Sequence, residues 1–185
     1  MLFAVDRILV VDSDPRWAGI AGALMAELRV VPGAWAEIEH IGSTSVPGLP
    51  AKPVIDLMAS TTDLDRVAAL EVENLTPLGY ARLETGMTGR LFYRREPGAA
   101  PADTMAVHLH VVPIRTWSTQ NERLLRDLLL VDPDAVRRYG DLKRRLATEI
   151  TDTLAYTRAK TELIQELVDQ ARRQRGLPAV NVWED

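Results

Sequence analysis

The stretch IEHIGSTSVPGLPAKPVIDLM, Ile38 to Met58, decides how this chain is read. Ala34 to Ile41 predicts a strand that delivers the backbone to Gly42. A loop rich in Gly, Ser, Thr and Pro runs on to Lys52, and Pro53 to Ala59 predicts a buried strand whose one charge is Asp56. Gly42 lets the backbone turn and approach a ligand without a Cβ in the way. Ser43, Thr44 and Ser45 set three hydroxyls beside backbone N–H groups, a cradle suited to phosphate oxygens, and Lys52 adds a positive charge at its far lip. A lone carboxylate on an apolar strand is costly unless it is paired, hydrogen-bonded or metal-bound. The same residues could also form a plain Ser/Thr-rich turn, with Asp56 in a structural network. No Gly-x4-Gly-Lys-[Ser/Thr] loop, Gly-x-Ser-x-Gly elbow or His-Glu-x-x-His helix occurs.

Working outward, Arg7 to Val11 predicts a short strand, and Ser13-Asp14-Pro15 a helix start. Trp17, Ile20, Leu24 and Leu28 recur at helical spacing, so that helix runs to about Arg29. Thr62 to about Asn74 reads as a crossover helix. Gly79 to Glu84, Arg90 to Arg95 and Met105 to Val112 read as strands, with a hairpin-like loop over Pro97 to Pro101. Thr119-x-x-Glu122 is a capping-box pattern opening a helix to about Val131. Asp132-Pro133 opens a second, to about Ala147, and a third spans Asp152 to Arg175 before Gly176-Leu177-Pro178. This order predicts an α+β chain of one domain, a mixed sheet with helices over about 7–115 and a three-helix segment over about 119–175. Trp17, Trp35 and Trp117 fit the core or its rim, and Trp183 lies in a tail.

Three further patterns bear chemistry. His108 and His110, two apart on a strand, face one side, and a divalent metal could join them to Asp56 if the two strands are neighbours. They could equally be half-buried histidines bonded to backbone. Tyr139-x3-Lys143 and Tyr156-x3-Lys160 each place a Tyr and a Lys on one helical face. Both ammonium groups could reach toward phosphates, or simply lie along amphipathic faces. Arg90, Phe92 and Arg94 share one strand face, and Arg90 could clamp a phosphate.

Composition narrows the class. The chain has 185 residues and a formal charge of −4, which disfavours a broad nucleic-acid surface. The absence of Cys excludes disulfides, thiol catalysis and thiolate metal sites. No apolar run approaches a membrane span, and the first thirty residues carry no basic segment leading into an apolar one, so a cytoplasmic protein is expected. Nineteen Arg stand against three Lys, which isolates Lys52, Lys143 and Lys160.

Glu39 to Asp56, EHIGSTSVPGLPAKPVID, resembles the signature of the GrpB family. The resemblance continues through Leu78-Gly79-Tyr80, His108-Leu109-His110-Val111, Leu125-Arg126-Asp127, Tyr139-x-x-Leu142-Lys143 and Tyr156-x3-Lys160, covering nearly the whole chain. That family is similar in fold to polymerase-β-type nucleotidyltransferases, and in some bacteria such a domain is fused behind dephospho-coenzyme A kinase. The resemblance implies a Gly42–Ser43 loop at a nucleotide-binding edge, followed by an Asp-x-Asp/Glu pair and a later acid that hold two magnesium ions. Gly42, Ser43 and Asp56 match this pattern. Met58 stands where the second carboxylate would be, and His108 and His110 replace the later acid. One carboxylate and two imidazoles suit a single manganese, zinc, iron or nickel ion better than a magnesium pair. The expectation is metal-dependent transfer of a nucleotidyl group from a nucleoside triphosphate to a small acceptor. Asp56 and Ser43 would be catalytic, Gly42, Ser43, Thr44, Ser45, Lys52, Arg90, Lys143 and Lys160 would bind phosphate, and Asp56, His108 and His110 a divalent metal. The alternatives are a non-catalytic module for a nucleotide or coenzyme A-like ligand, and a metal-dependent phosphate-ester hydrolase.

Overall fold

The computed structural model describes residues 8–98 and 105–182. Arg7 of the first expected strand, the end of the 97–101 loop and Trp183 lie outside the described residues. The remainder forms a mixed five-stranded sheet with six α-helices, in which α1 (Arg16–Leu28) leads into β1 (Glu37–Ile41) and a 3₁₀ turn over Ser43–Ser45 into β2 (Val54–Thr61). Then come α2 (Leu64–Leu70), β3 (Tyr80–Arg82), β4 (Leu91–Arg95) and β5 (Ala106–Pro113). The helical half is α3 (Asn121–Val131), α4 (Pro133–Glu149), α5 (Thr153–Arg158) and α6 (Thr161–Gln174). Val11 makes only an isolated bridge to Ala51.

The strand order is β1-β2-β5-β4-β3, and only the central β2–β5 pair is parallel. Its register sets Asp56 opposite His108 and Met58 opposite His110. Alternation then divides the two faces. Ile55, Leu57, Val107 and Leu109 point into a core shared with Trp17, Leu24 and Leu28 of α1 and Val67 of α2. Each such fully buried aliphatic side chain contributes roughly 1.5–3 kcal/mol. The other face carries Asp56, His108 and His110, with Met58 and Val112 packed beside Ile41 and Trp117.

The helical half has its own core, and the loop after β1 plugs into it: Val46 and Leu49 pack with Leu124, Leu128, Tyr139 and Leu167. Gly140 of α4 allows this closeness, because a Cβ there would lie 3.0 Å from Pro50 Cδ. Ionic contacts complete the join. Glu39 of β1 accepts hydrogen bonds from Arg123 at 2.8 and 2.9 Å and pairs with Arg126 at 2.7 Å. Arg126 also donates to the His40 carbonyl.

Two local expectations change. The capping box does not form: Thr119 donates to the Thr116 carbonyl, and Glu122 pairs with Arg90. The Arg90 guanidinium, arriving from just before β4, outcompetes a single backbone N–H for that carboxylate. The helix expected over Asp152 to Arg175 is broken at Ala159-Lys160, where the Lys160 N–H bonds to the Thr157 carbonyl. That tighter turn brings the Lys160 ammonium back over the Tyr156 ring.

Candidate functional site

The Gly42 loop is built around Asp56. Gly42 has φ 70° and ψ −173°, a conformation essentially reserved for glycine, and a Cβ there would run into the Asp56 carboxylate. Of the three hydroxyls that follow, two hold the turn together. Ser45 Oγ donates to the Gly42 carbonyl at 2.5 Å, and Thr44 Oγ1 donates to the Val54 carbonyl at 3.1 Å. With its hydrogen committed, Thr44 Oγ1 accepts from His40 Nε2 at 2.9 Å, which fixes the tautomer of that ring. Burial holds the His40 pKa down to about 4, against the pull of the Asp56 charge, so the ring stays neutral. Ser43 faces the other way, and its Oγ accepts from Lys143 Nζ at 3.0 Å.

Lys143 comes from α4 and is only 3% exposed. Its ammonium lies 4.5 Å from the centre of the Tyr139 ring. Lys52 and Lys160, from the loop and the α5–α6 turn, both rest on Tyr156, at 4.7 and 4.4 Å from its ring centre. Such cation–π contacts return only about 0.5–2 kcal/mol each, less than the desolvation of an ammonium. Among the described residues no carboxylate is within salt-bridge distance of any of the three lysines. The consequences appear in their acidities. Burial, with the nearby charges of Lys160 and Arg144, pulls Lys143 down to about 7. Burial and Lys52 pull Lys160 down to about 8, and burial lowers Lys52. The Tyr156 hydroxyl is buried without a hydrogen-bond partner among the described residues, and burial pushes its pKa up to about 12.

These groups surround a pocket of about 270 Å³ between the sheet and the helical half. Ser43, Thr44, Lys52, Asp56, His108, Lys143 and Lys160 of the expected set line it. Gly42 and Ser45 support its wall. Sequence reasoning missed Thr153 and Thr157, which also line it. Their helical spacing with Tyr156 and Lys160, across α5 and the turn that follows it, was the available signal.

His110 and Arg90 stand apart. Asp56 Oδ1 accepts from His108 Nδ1 at 3.1 Å, whereas His110 lies two register positions along, with Arg90 Nη1 3.4 Å from its Nδ1. Arg90 is itself paired with Glu122 and hydrogen-bonded to Gln120. Burial lowers the His110 pKa, aided by Arg90 and opposed by Glu122. Phe92 packs against both rings, at 5.2 and 4.8 Å between centroids. Among the described residues no three His, Asp or Glu side chains gather as a metal-binding group. A magnesium pair asks for several oxygen donors, and among the described residues lining the pocket Asp56 is the only carboxylate. This donor set does not fit such a pair.

The comparisons with known proteins agree on the fold. The family profile described as GrpB protein matches residues 7–170. A UPF0157 protein of Pseudomonas aeruginosa is 38% identical over 178 residues, covering 90% of this chain and 68% of that protein. The crystal structure of the conserved protein GrpB from Enterococcus faecalis superposes with a TM-score of 0.79 at 27% identity, over 91% of this chain and 99% of that one. The Cid1 poly(U) polymerase with MgGTP bound superposes with a TM-score of 0.54 at 16% identity, over 75% of this chain and 44% of Cid1. The last likeness is one of fold, a nucleotidyltransferase architecture. Among the described residues no helix is long and apolar enough to cross a membrane.

Proposed function

The chain belongs to the GrpB family, and from that premise we propose that its lysine-lined pocket binds the polyphosphate of a nucleotide. One observation carries the reading: three ammonium groups without carboxylate partners among the described residues converge on a cavity that also presents the Ser43 hydroxyl. Desolvated cations of one sign repel one another, and a multiply charged anion is the partner that relieves this. Phosphate oxygens would take the Ser43 hydroxyl and the Lys143 ammonium together, with Lys52 and Lys160 closing from the other side. Thr153 adds a hydroxyl on the α5 wall, beside Thr157, whose own hydroxyl donates to the Thr153 carbonyl.

A second reading is nucleotidyl transfer, and the Asp56–His108 hydrogen bond beside the anion pocket favours it. In that reaction an acceptor hydroxyl forms a bond to the α-phosphorus while the α–β phosphoanhydride bond breaks. The acceptor proton passes to the Asp56–His108 pair, and pyrophosphate leaves held by Ser43 and the lysines. The expected divalent metal on Asp56, His108 and His110 takes no part in this scheme: among the described residues those three side chains do not gather as a metal-binding group.

Calorimetric titration with nucleoside triphosphates, a coenzyme A-like diphosphate and inorganic pyrophosphate tests the first reading. Saturable binding of the triphosphates that Lys143→Met weakens tenfold or more, about 1.4 kcal/mol, supports it. Pyrophosphate release across a panel of acceptor alcohols, lost in Asp56→Asn, supports transfer. Binding without release leaves the module reading alone.

A further inference from the structure

We infer that the pocket takes its polyphosphate as the free anion, with the ammonium groups of Lys52, Lys143 and Lys160 standing where a nucleotidyltransferase-type site would hold metal ions. The inference rests on the polyphosphate reading above and adds the charge state of the ligand.

The arrangement of charge argues for it. Asp56 and Met58 project from one face of β2, and a metal pair would need carboxylates at both. Met58 is fully buried, packed with Ile41, Val112 and Trp117, so that position is closed as a ligand and as a water-filled gap. The remaining acid, Asp56, is already engaged by His108 Nδ1 and crowded by Gly42. Glu39, opposite Met58 on β1, is turned to Arg123 and Arg126. Glu122, which sits against His110 and Arg90, is held by that guanidinium. Asp56, Glu39 and Glu122 on this face therefore already answer a cation or an imidazole of the protein.

The cations have the opposite character. Each of the three lysines comes from a different part of the chain, the loop, α4 and the α5–α6 turn, and none has a carboxylate partner among the described residues. A magnesium–polyphosphate complex has had part of its charge neutralised before it arrives, so it gains less from these groups. Its magnesium would also lie among ammonium groups with one carboxylate for compensation, an unfavourable juxtaposition in a partly desolvated site. The free polyphosphate has neither difficulty.

Calorimetric titration of the full chain with ATP and with inorganic pyrophosphate, in EDTA and again in excess magnesium or manganese, tests this. The expected result is saturable binding in EDTA that weakens about threefold to tenfold when magnesium is supplied. Asp56→Asn separates the two charge schemes by sign. With ammonium groups as the counter-charge, removing the carboxylate strengthens ATP binding in EDTA; with a metal as the counter-charge, it weakens or abolishes binding. Lys160→Gln, at the partly exposed lip, weakens binding in EDTA under the inference and checks it should Asp56→Asn fold poorly. Binding that appears only with a divalent ion overturns the inference and leaves the polyphosphate reading standing. Binding under neither condition overturns that reading, and the inference with it.

Discussion

Lys143 carries an ammonium that folding strips of most of its water. The unfolded chain holds it at an ordinary pKa of 10.5 and the folded chain at about 7. Between those values the unfolded chain binds more protons, so this group makes stability rise as pH climbs from 7 toward 10.5, and its penalty is complete below 7. Lys143→Met should therefore stabilise the ligand-free protein at pH 6–7 by about 1–3 kcal/mol in urea denaturation, while removing anion binding. The same titration runs the other way for the ligand. Above pH 8 Lys143 and Lys160 must each take up a proton to meet an anion, so ATP affinity should fall about tenfold or more per pH unit in calorimetric titrations. Gly42 offers a purely steric counterpart. Gly42→Ala meets both the left-handed φ and the Asp56 carboxylate, and should cost about 2–4 kcal/mol by thermal denaturation.

At the level of elements, the loop between β1 and β2 carries more than its sequence announced. Gly42, Ser43 and Lys52 were readable as a cradle with a charged lip or, equally, as a plain Ser/Thr-rich turn. That the middle of the loop is a hydrophobic plug was not readable. Val46, Leu49 and Pro50 look like ordinary turn punctuation until α4 is brought against them. Gly140 is the mark of that contact, yet a lone glycine in a helix has many explanations. Gly140→Val should push Pro50 away from α4 and lower stability by about 1–3 kcal/mol, read by chemical denaturation, with a loss of ATP affinity because Ser43 and Lys143 separate. Periodicity placed Tyr139 with Lys143 and Tyr156 with Lys160 on shared faces. It could not place Lys52 on the same Tyr156 ring, because that contact joins positions far apart in sequence. His110 escaped for the same kind of reason: the guanidinium and carboxylate that occupy its surroundings arrive from the residue before β4 and from α3.

Across the whole molecule, the order of elements was legible from hydrophobic periodicity and caps, and the α+β architecture followed. The way the halves lock together was not. It depends on Glu39 meeting Arg123 and Arg126, three charged residues that a sequence reading assigns to solvent. The two guanidiniums hold the Glu39 carboxyl below its usual range despite its burial. Glu39→Gln leaves both facing a neutral amide, and should cost about 1–3 kcal/mol by denaturation, with faster amide hydrogen exchange in α3 than in β5.

Ser43 and Lys143, hydrogen-bonded across the pocket, are 100 positions apart in the chain. A guest gripped by both, and by Lys160 from a third region, works as a removable cross-link between the first and last thirds of the polypeptide. Those segments then part only once it has left. A protease added to the occupied protein would find its cleavage sites opening only as often as the guest lets go.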